Sequence, residues 1–395
     1  MALPVHVTDT TLRDGIENFV LKELRQDELG RLGKLLDRAG FYSIDCWGGS
    51  TFYSALTDLQ EDPWERLKRL RRSIRHTPLQ MVVRGDMLVG FKPYHKEVVR
   101  KFLAKAAGLG VDIFRIYDQL NDLENMRLAI SMGKELRKQG EATVLFSQNP
   151  AVTMVDYLRL AEDMINLGAD AICMNDSLGV MSPEHVVSLV TTYKWNLHQP
   201  LRLHLHDNQQ KALDAYLVGI RAGVERVDTL LAPLAWTEGP PTVEKLVTAL
   251  QNTPYDAQID TTALEATADY LNTLKQSHRY QEPAPRQVAD SNAEGYLPEL
   301  FKEYLREELR RRNARDRQDV AYTEAHRVWS DLGFLPLKGR IPEIIGGQAL
   351  ANIFAGQRYH KLTEDMRDLI KGRYGPLYSI ADEELRRLAL EAREV

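Results

Sequence analysis

The residues best equipped for chemistry in this sequence are two histidines one position apart, in Arg202-Leu203-His204-Leu205-His206-Asp207. Successive side chains of a strand alternate between faces, so His204 and His206 project from the same side. Near the N-terminus, Thr8-Asp9-Thr10-Thr11-Leu12-Arg13-Asp14 offers a carboxylate, Asp14, beside an arginine. Two imidazoles and a carboxylate can hold a divalent metal and leave coordination positions open, as a catalytic metal needs. Histidines so spaced can also be surface hydrogen-bonding groups on a strand. The elements that carry them decide between the two.

Short apolar runs at 5–8, 42–46, 80–83, 113–117, 143–147, 171–174, 201–206 and 226–231 alternate with stretches of helical apolar spacing, such as 157–167 and 186–195. Glycines close several of those stretches: Gly40, Gly110, Gly168 and Gly223. Eight alternations at about 25–40 residues each point to a (β/α)8 TIM barrel, a fold of about 250 residues. A doubly wound open sheet is the competitor, but no Gly-rich dinucleotide fingerprint follows any run. Active sites of such barrels lie at the C-terminal strand ends. Asp14 follows the first run, Arg84 the third and Asn175 the sixth, while His204 and His206 end the seventh, so all would converge on one mouth. Beyond residue 254 the pattern turns helical, with helices expected over 261–276 and 297–312 and through much of 363–395. The expected organisation is a barrel over 1–254 and a C-terminal, mainly helical domain over 255–395, packed on the barrel mouth. The basic run Arg310-Arg311-Arg312 reads as a solvated helix face.

The 395 residues carry a formal net charge of −5, which gives no general attraction to nucleic acid or anionic membrane. Cys46 and Cys173 sit in apolar runs and read as reduced core thiols. Met1-Ala2-Leu3-Pro4 leads into a strand rather than a signal-peptide pattern, and no apolar run approaches a membrane span. The expectation is a cytoplasmic protein with neither nucleic acid nor membrane as partner.

The chain resembles the carboxyltransferase domain of biotin-dependent enzymes (pyruvate carboxylase, oxaloacetate decarboxylase alpha, transcarboxylase), within the metallolyase barrels that include hydroxymethylglutaryl-CoA lyase. The resemblance rests on Asp9-Thr10-Thr11-Leu12-Arg13-Asp14, Trp47-Gly48-Gly49-Ser50-Thr51-Phe52, Arg84-Gly85, Phe114-Arg115-Ile116-Tyr117-Asp118 and Lys371-Gly372-Arg373-Tyr374-Gly375. It implies a metal held by Asp14, His204 and His206, and anchoring of a 2-oxo acid by Arg13 and Arg84. It also implies a homodimer.

Departures from the family pattern fall on carboxybiotin handling. Asn175 stands where the family carries a carboxylated lysine, and its side-chain oxygen can still bind metal or orient a ligand. Glu17 replaces a glutamine, Tyr53 a biotin-pocket aspartate and Phe91 a pocket tyrosine. Arg340 lies roughly opposite the proton-shuttling threonine, and Trp236-Thr237-Glu238 adds bulk and an acid near the mouth. Biotin is therefore not expected as a cofactor.

The resulting expectation is a divalent-metal enzyme that makes or breaks a carbon–carbon bond beside a small 2-oxo acid. Glu17 is the proton-transfer group, and Tyr53 and Arg340 are further substrate contacts. Zinc, manganese, cobalt and iron all suit the donors. The alternatives are the carboxyltransferase subunit of a multi-chain biotin enzyme and a non-catalytic scaffold subunit.

Overall fold

The computed structural model describes residues 2–15, 24–90, 92–147, 149–150, 152–208, 210–234, 239–279, 296–377 and 383–391. In chain order the strands are β1 (Leu3–Pro4), β2 (His6–Asp9), β3 (Ser43–Trp47), β4 (Leu79–Val83), β5 (Ile113–Ile116), β6 (Gln139–Leu145), β7 (Ala171–Asp176), β8 (Leu201–Leu205), β9 (Arg226–Thr229) and β10 (Tyr255–Asp256). Strands β2 to β9 close into a barrel in sequence order, and β1 pairs with β10 in a separate two-stranded sheet. With helices between its strands, this is the expected (β/α)8 TIM barrel.

Parallel neighbours need crossover connections, and amphipathic helices supply them. The helix Pro183–Asn196 between β7 and β8 starts at Ser182, whose hydroxyl accepts from the His185 N–H, and a proline sits in its first turn. It buries Val186, Leu189, Val190 and Tyr193, a single face at helical spacing. The next crossover helix, Ala212–Ala222, stops at Gly223, whose φ of 114° lies in the left-handed region.

Side chains that alternate outward from the strands are mostly apolar, including Phe114, Ile116, Ile172, Met174, Leu203, Leu205 and Val227, all buried. The inward set is different. Arg115 of β5 bonds Asp228 of β9, and Arg202 of β8 bonds Glu141 of β6. Neither pair of strands is adjacent, so these bonds cross the barrel interior. Paired charges, rather than apolar side chains alone, fill much of the barrel. That explains the displaced fifth run: the strand β6 begins at Gln139, four residues before the apolar run at 143–147, because its inward Glu141 is fully buried.

The described residues fall into two compact units, one within 1–118, 123–144 and 157–288, the other within 119–122, 145–156 and 289–395. In the second, the helix Gln318–Asp331 buries Ala321, Glu324, Ala325, Val328 and Trp329. The buried Glu324 carboxylate accepts from Asn352 at 2.7 Å and from Arg358 at 2.8 Å. Arg310, Arg311 and Arg312 end the helix Glu299–Arg311 and its cap, and they pair with Glu307 and Glu308 one turn back on an exposed face. Among the described residues no helix is long and apolar enough to cross a membrane. Cys46 and Cys173 are buried free thiols, with burial pushing Cys173 up to about 12.

Candidate metal centre

Asp14 is delivered by a wide helical turn, Thr11–Gly15, that leaves the end of β2. The Arg13 and Asp14 N–H groups both close on the Thr10 carbonyl, at 3.0 and 2.8 Å. The Thr10 hydroxyl donates to the Thr229 carbonyl at the end of β9 (3.2 Å). The Thr11 hydroxyl donates to Asp9 Oδ1 at 2.6 Å and accepts from the Leu231 N–H at 3.1 Å. The Asp-Thr-Thr sequence thus ties the turn to its neighbouring strand and fixes where Asp14 points.

His204 lies on β8, and His206 directly follows the strand, its N–H donating to the Asp176 carbonyl at 2.9 Å. A side chain at Gly179 would meet that histidine's carbonyl, its Cβ 2.6 Å from the His206 oxygen, and the φ of 66° there also favours glycine. Asp207 accepts from the Ala212 N–H at 2.9 Å and so starts the following helix, the capping role its position suggests. Asn208 donates to the Leu178 carbonyl at 3.2 Å, joining the loops after β7 and β8.

One nitrogen from each histidine and one Asp14 oxygen lie within 4.8 Å of one another. His204 Nε2 is 3.2 Å from His206 Nε2 and 3.8 Å from Asp14 Oδ2. Two ligands bound at about 2.1 Å to one ion sit about 3.0–3.4 Å apart, so the histidine spacing fits a shared divalent cation. His204 Nδ1 lies 2.8 Å from Asp228 Oδ2. A carboxylate only accepts, so this contact calls for a proton on Nδ1 and leaves Nε2 facing the cluster. The donor set fits a metal.

Arg13 is buried, its Nε donating to the fully buried Asp45 at 2.7 Å and its Nη1 lying 2.5 Å from Asp14 Oδ1. Arg84 follows β4. Its Nε donates to the Tyr117 hydroxyl at 2.7 Å and its Nη1 to the Gly90 carbonyl at 2.9 Å. The Gly48-Gly49 turn after β3 reaches both arginines: a Cβ on Gly48 would stand 3.5 Å from Arg13 Cδ, and one on Gly49 3.3 Å from Arg84 Nη2.

Tyr53 is half-buried on the helix that starts at Gly49. Asn175 lies in register with His204 on the adjacent strand, so both side chains face the interior, and its Oδ1 accepts from the Ser177 hydroxyl at 2.6 Å. Arg340 belongs to the second unit, where Asp365 takes its two terminal nitrogens at 3.2 and 2.8 Å and Glu343 its Nε at 3.3 Å. Glu17, Phe91 and Trp236-Thr237-Glu238 lie outside the described residues.

The sequence profile of the HMGL-like family matches residues 4–271. The chain belongs to the HMGL-like family. A pyruvate carboxylase subunit of Methanocaldococcus jannaschii is 33% identical over 391 residues, covering 99% of this chain and 69% of that protein. The 2-oxoglutarate carboxylase large subunit of Hydrogenobacter thermophilus is 32% identical over 371 residues, covering 93% and 57%. The methylmalonyl-CoA carboxyltransferase 5S subunit of Propionibacterium freudenreichii is 29% identical over 390 residues, covering 98% and 77%. Among solved structures, the carboxyl transferase domain of Rhizobium etli pyruvate carboxylase with pyruvate superposes with a TM-score of 0.91 at 26% identity, covering 99% of this chain and 68% of that one.

Reasoning from motifs passes over Asp228 and the arginines that hold it. Burial alone would push the Asp228 carboxyl up. Arg115, Arg202 and the His204 hydrogen bond outweigh burial and hold it well below the usual carboxylate range. The available signal was a charged residue inside a strand: Arg115 and Arg202 each have apolar residues on both sides, and Asp228 lies between Val227 and Thr229.

Proposed function

We propose that this HMGL-like chain is a divalent-metal enzyme acting on a small 2-oxo acid, and that it serves as the carboxyltransferase subunit of a multi-chain biotin-dependent enzyme. The observation that carries the reading is the Asp14, His204 and His206 cluster, flanked by Arg13 and Arg84 at the strand ends. Relatives named as carboxylase and carboxyltransferase subunits support the reaction class. A divalent cation held by the three side chains would polarise the ketone of a 2-oxo acid and favour its enolate. Arg84, its plane fixed by Tyr117 and Gly90, is assigned to the substrate carboxylate through charge-assisted hydrogen bonds. Arg13 is assigned to the same anion and also holds Asp14 in place. Glu17 is the proposed carrier of the C3 proton. In the transfer the C3–H bond breaks and a C3–carboxyl bond forms. The nitrogen–carboxyl bond of the carboxylated biotin breaks, and that nitrogen takes the proton.

A second reading, carbon–carbon bond chemistry or decarboxylation without biotin, is favoured by Asn175. An amide cannot form the carbamate expected of a lysine there, and its Oδ1 is already bonded to Ser177.

Two assays test and separate the readings. In D2O, metal-replete protein is expected to exchange the C3 protons of pyruvate or 2-oxoglutarate by NMR, and chelated protein or His206→Ala is expected not to. Oxaloacetate decarboxylation accelerated by free biotin supports the carboxyltransferase reading, whereas decarboxylation indifferent to biotin supports the second. Absence of both activities in metal-bound protein overturns both and leaves the scaffold role.

A further inference from the structure

Four ionisable side chains occupy the middle of the barrel: Arg115, Glu141, Arg202 and Asp228, each at most 3% exposed. Arg115 donates from Nε to Glu141 Oε1 at 2.8 Å, and from Nη1 and Nη2 to the Asp228 carboxylate. Arg202 donates from Nε to Glu141 Oε2 and from Nη1 to Asp228 Oδ1, both at 2.8 Å. Each arginine bridges the same two carboxylates, and the four charges cancel. Two further contacts tell the carboxylates apart: Arg226 Nη1 lies 3.7 Å from Glu141 Oε2, and Asp228 Oδ2 meets His204 Nδ1 at 2.8 Å.

We propose that Asp228 is a positioning residue for the metal site: clamped by Arg115 and Arg202, it takes the Nδ1–H of His204 and turns the Nε2 lone pair toward Asp14 and His206. The inference rests on the metal reading above and adds how the donor set is prepared before a cation arrives. A histidine with an unconstrained second nitrogen divides its proton between two positions, and only one tautomer can ligate at Nε2. Neither His206 nor Asp14 can make that choice for His204, because both face the Nε2 side. The choice falls to the interior network, through a residue four strands away from Arg115 along the barrel wall.

The arginines that Asp228 and Glu141 share supply a matched control. Asp228→Asn and Glu141→Gln each remove one negative charge from between the same two arginines, and only the first touches His204. In Asp228→Asn the amide oxygen is drawn to the Oδ1 position, where both arginines donate. The NH2 then faces His204 and pushes its proton to Nε2. Zn2+ affinity, measured by competition with a chromophoric chelator, is expected to fall about 10–100-fold in Asp228→Asn and no more than about threefold in Glu141→Gln. Should either variant fail to fold, 15N NMR of the metal-free wild-type protein gives the answer without mutation, and His204 is expected to carry its proton on Nδ1. Equal affinity losses in the two variants, or a His204 proton on Nε2 in the wild type, overturn the proposal. If the wild type takes up no Zn2+, the metal reading fails, and the NMR result still judges the role of Asp228.

Discussion

Asp9, the first residue of the Asp-Thr-Thr turn that carries Asp14, makes the stability of the fold depend on pH. Its carboxyl is fully buried, with Oδ1 accepting from Thr11 and Oδ2 without a hydrogen-bond partner among the described residues. Burial raises it to about 7 from 3.8; the Thr11 hydrogen bonds oppose the shift and the Asp45 and Glu244 charges add to it. The folded state therefore holds a proton that the unfolded chain gives up. This contribution to stability is fully present below the unfolded value and is lost as pH rises through the folded one. Each pH unit inside the window is worth about 1.4 kcal/mol, so moving from about pH 5 to about pH 8 costs roughly 3 kcal/mol. Asn is isosteric with the protonated acid and does not titrate. Urea unfolding followed by circular dichroism at several pH values should find Asp9→Asn near wild type at about pH 3, already the more stable protein by about 1.6 kcal/mol at about pH 5, and increasingly so towards about pH 8. Stability curves that stay parallel across that window would show that Asp9 is ionised in the fold, which refutes the prediction.

Metal removal and one glycine supply further tests. With a divalent cation at about 100 times its Kd the fold gains about 2.7 kcal/mol. Spread over an unfolding entropy of about 2.1 cal/mol/K per residue for 395 residues, this is a rise in Tm of about 3 °C that a chelator reverses. His206→Ala is expected to abolish that rise, as read by differential scanning calorimetry. Gly85 has a φ of 43°, and a Cβ there would stand 2.3 Å from the Asn125 carbonyl oxygen. Gly85→Ala should therefore cost at least about 2 kcal/mol in chemical denaturation and displace Arg84, raising KM for the 2-oxo acid.

The clustering of Asp14, His204 and His206 was legible in the sequence because each member depends on a local rule. Strand alternation places His204 with His206, and a strand end places Asp14 at the mouth. The four glycines expected to close helical stretches, Gly40, Gly110, Gly168 and Gly223, all lie at positive φ, since a helix end is also a local signal. Asp228 was not legible. Its role requires knowing that β8 and β9 are neighbours in a closed sheet and that Arg115 reaches it from across the interior, and no spacing along the chain encodes either. The displaced start of β6 has the same origin. Hydrophobic periodicity finds strands whose inward face is apolar, and this barrel has charges on that face. Arg340 combines both kinds of signal: Glu343 takes its Nε from one turn along the same helix, whereas Asp365 reaches it only once the next helix packs alongside.

A charged barrel interior costs stability relative to an apolar one, because the desolvation of buried ions is at best barely repaid by their attraction. Arg115, Glu141, Arg202 and Asp228 could in principle be replaced by aliphatic side chains of similar volume, as the outward faces of the same strands are already filled. What aliphatic residues cannot provide is an anion at a fixed point beneath His204. The network confines Asp228 from two sides with rigid guanidinium planes and satisfies Glu141 with the same donors, so its carboxylate cannot swing away from the imidazole. The rim is built in the same way: Asp45 fixes Arg13, Arg13 in turn reaches Asp14, and Tyr117 fixes Arg84. Two of the three candidate metal donors and both candidate substrate anchors are thus held by side chains of the barrel or its strand ends. The interior charges are best understood as the support of the site, with the stability they forgo offset by the apolar packing between the strands and their surrounding helices.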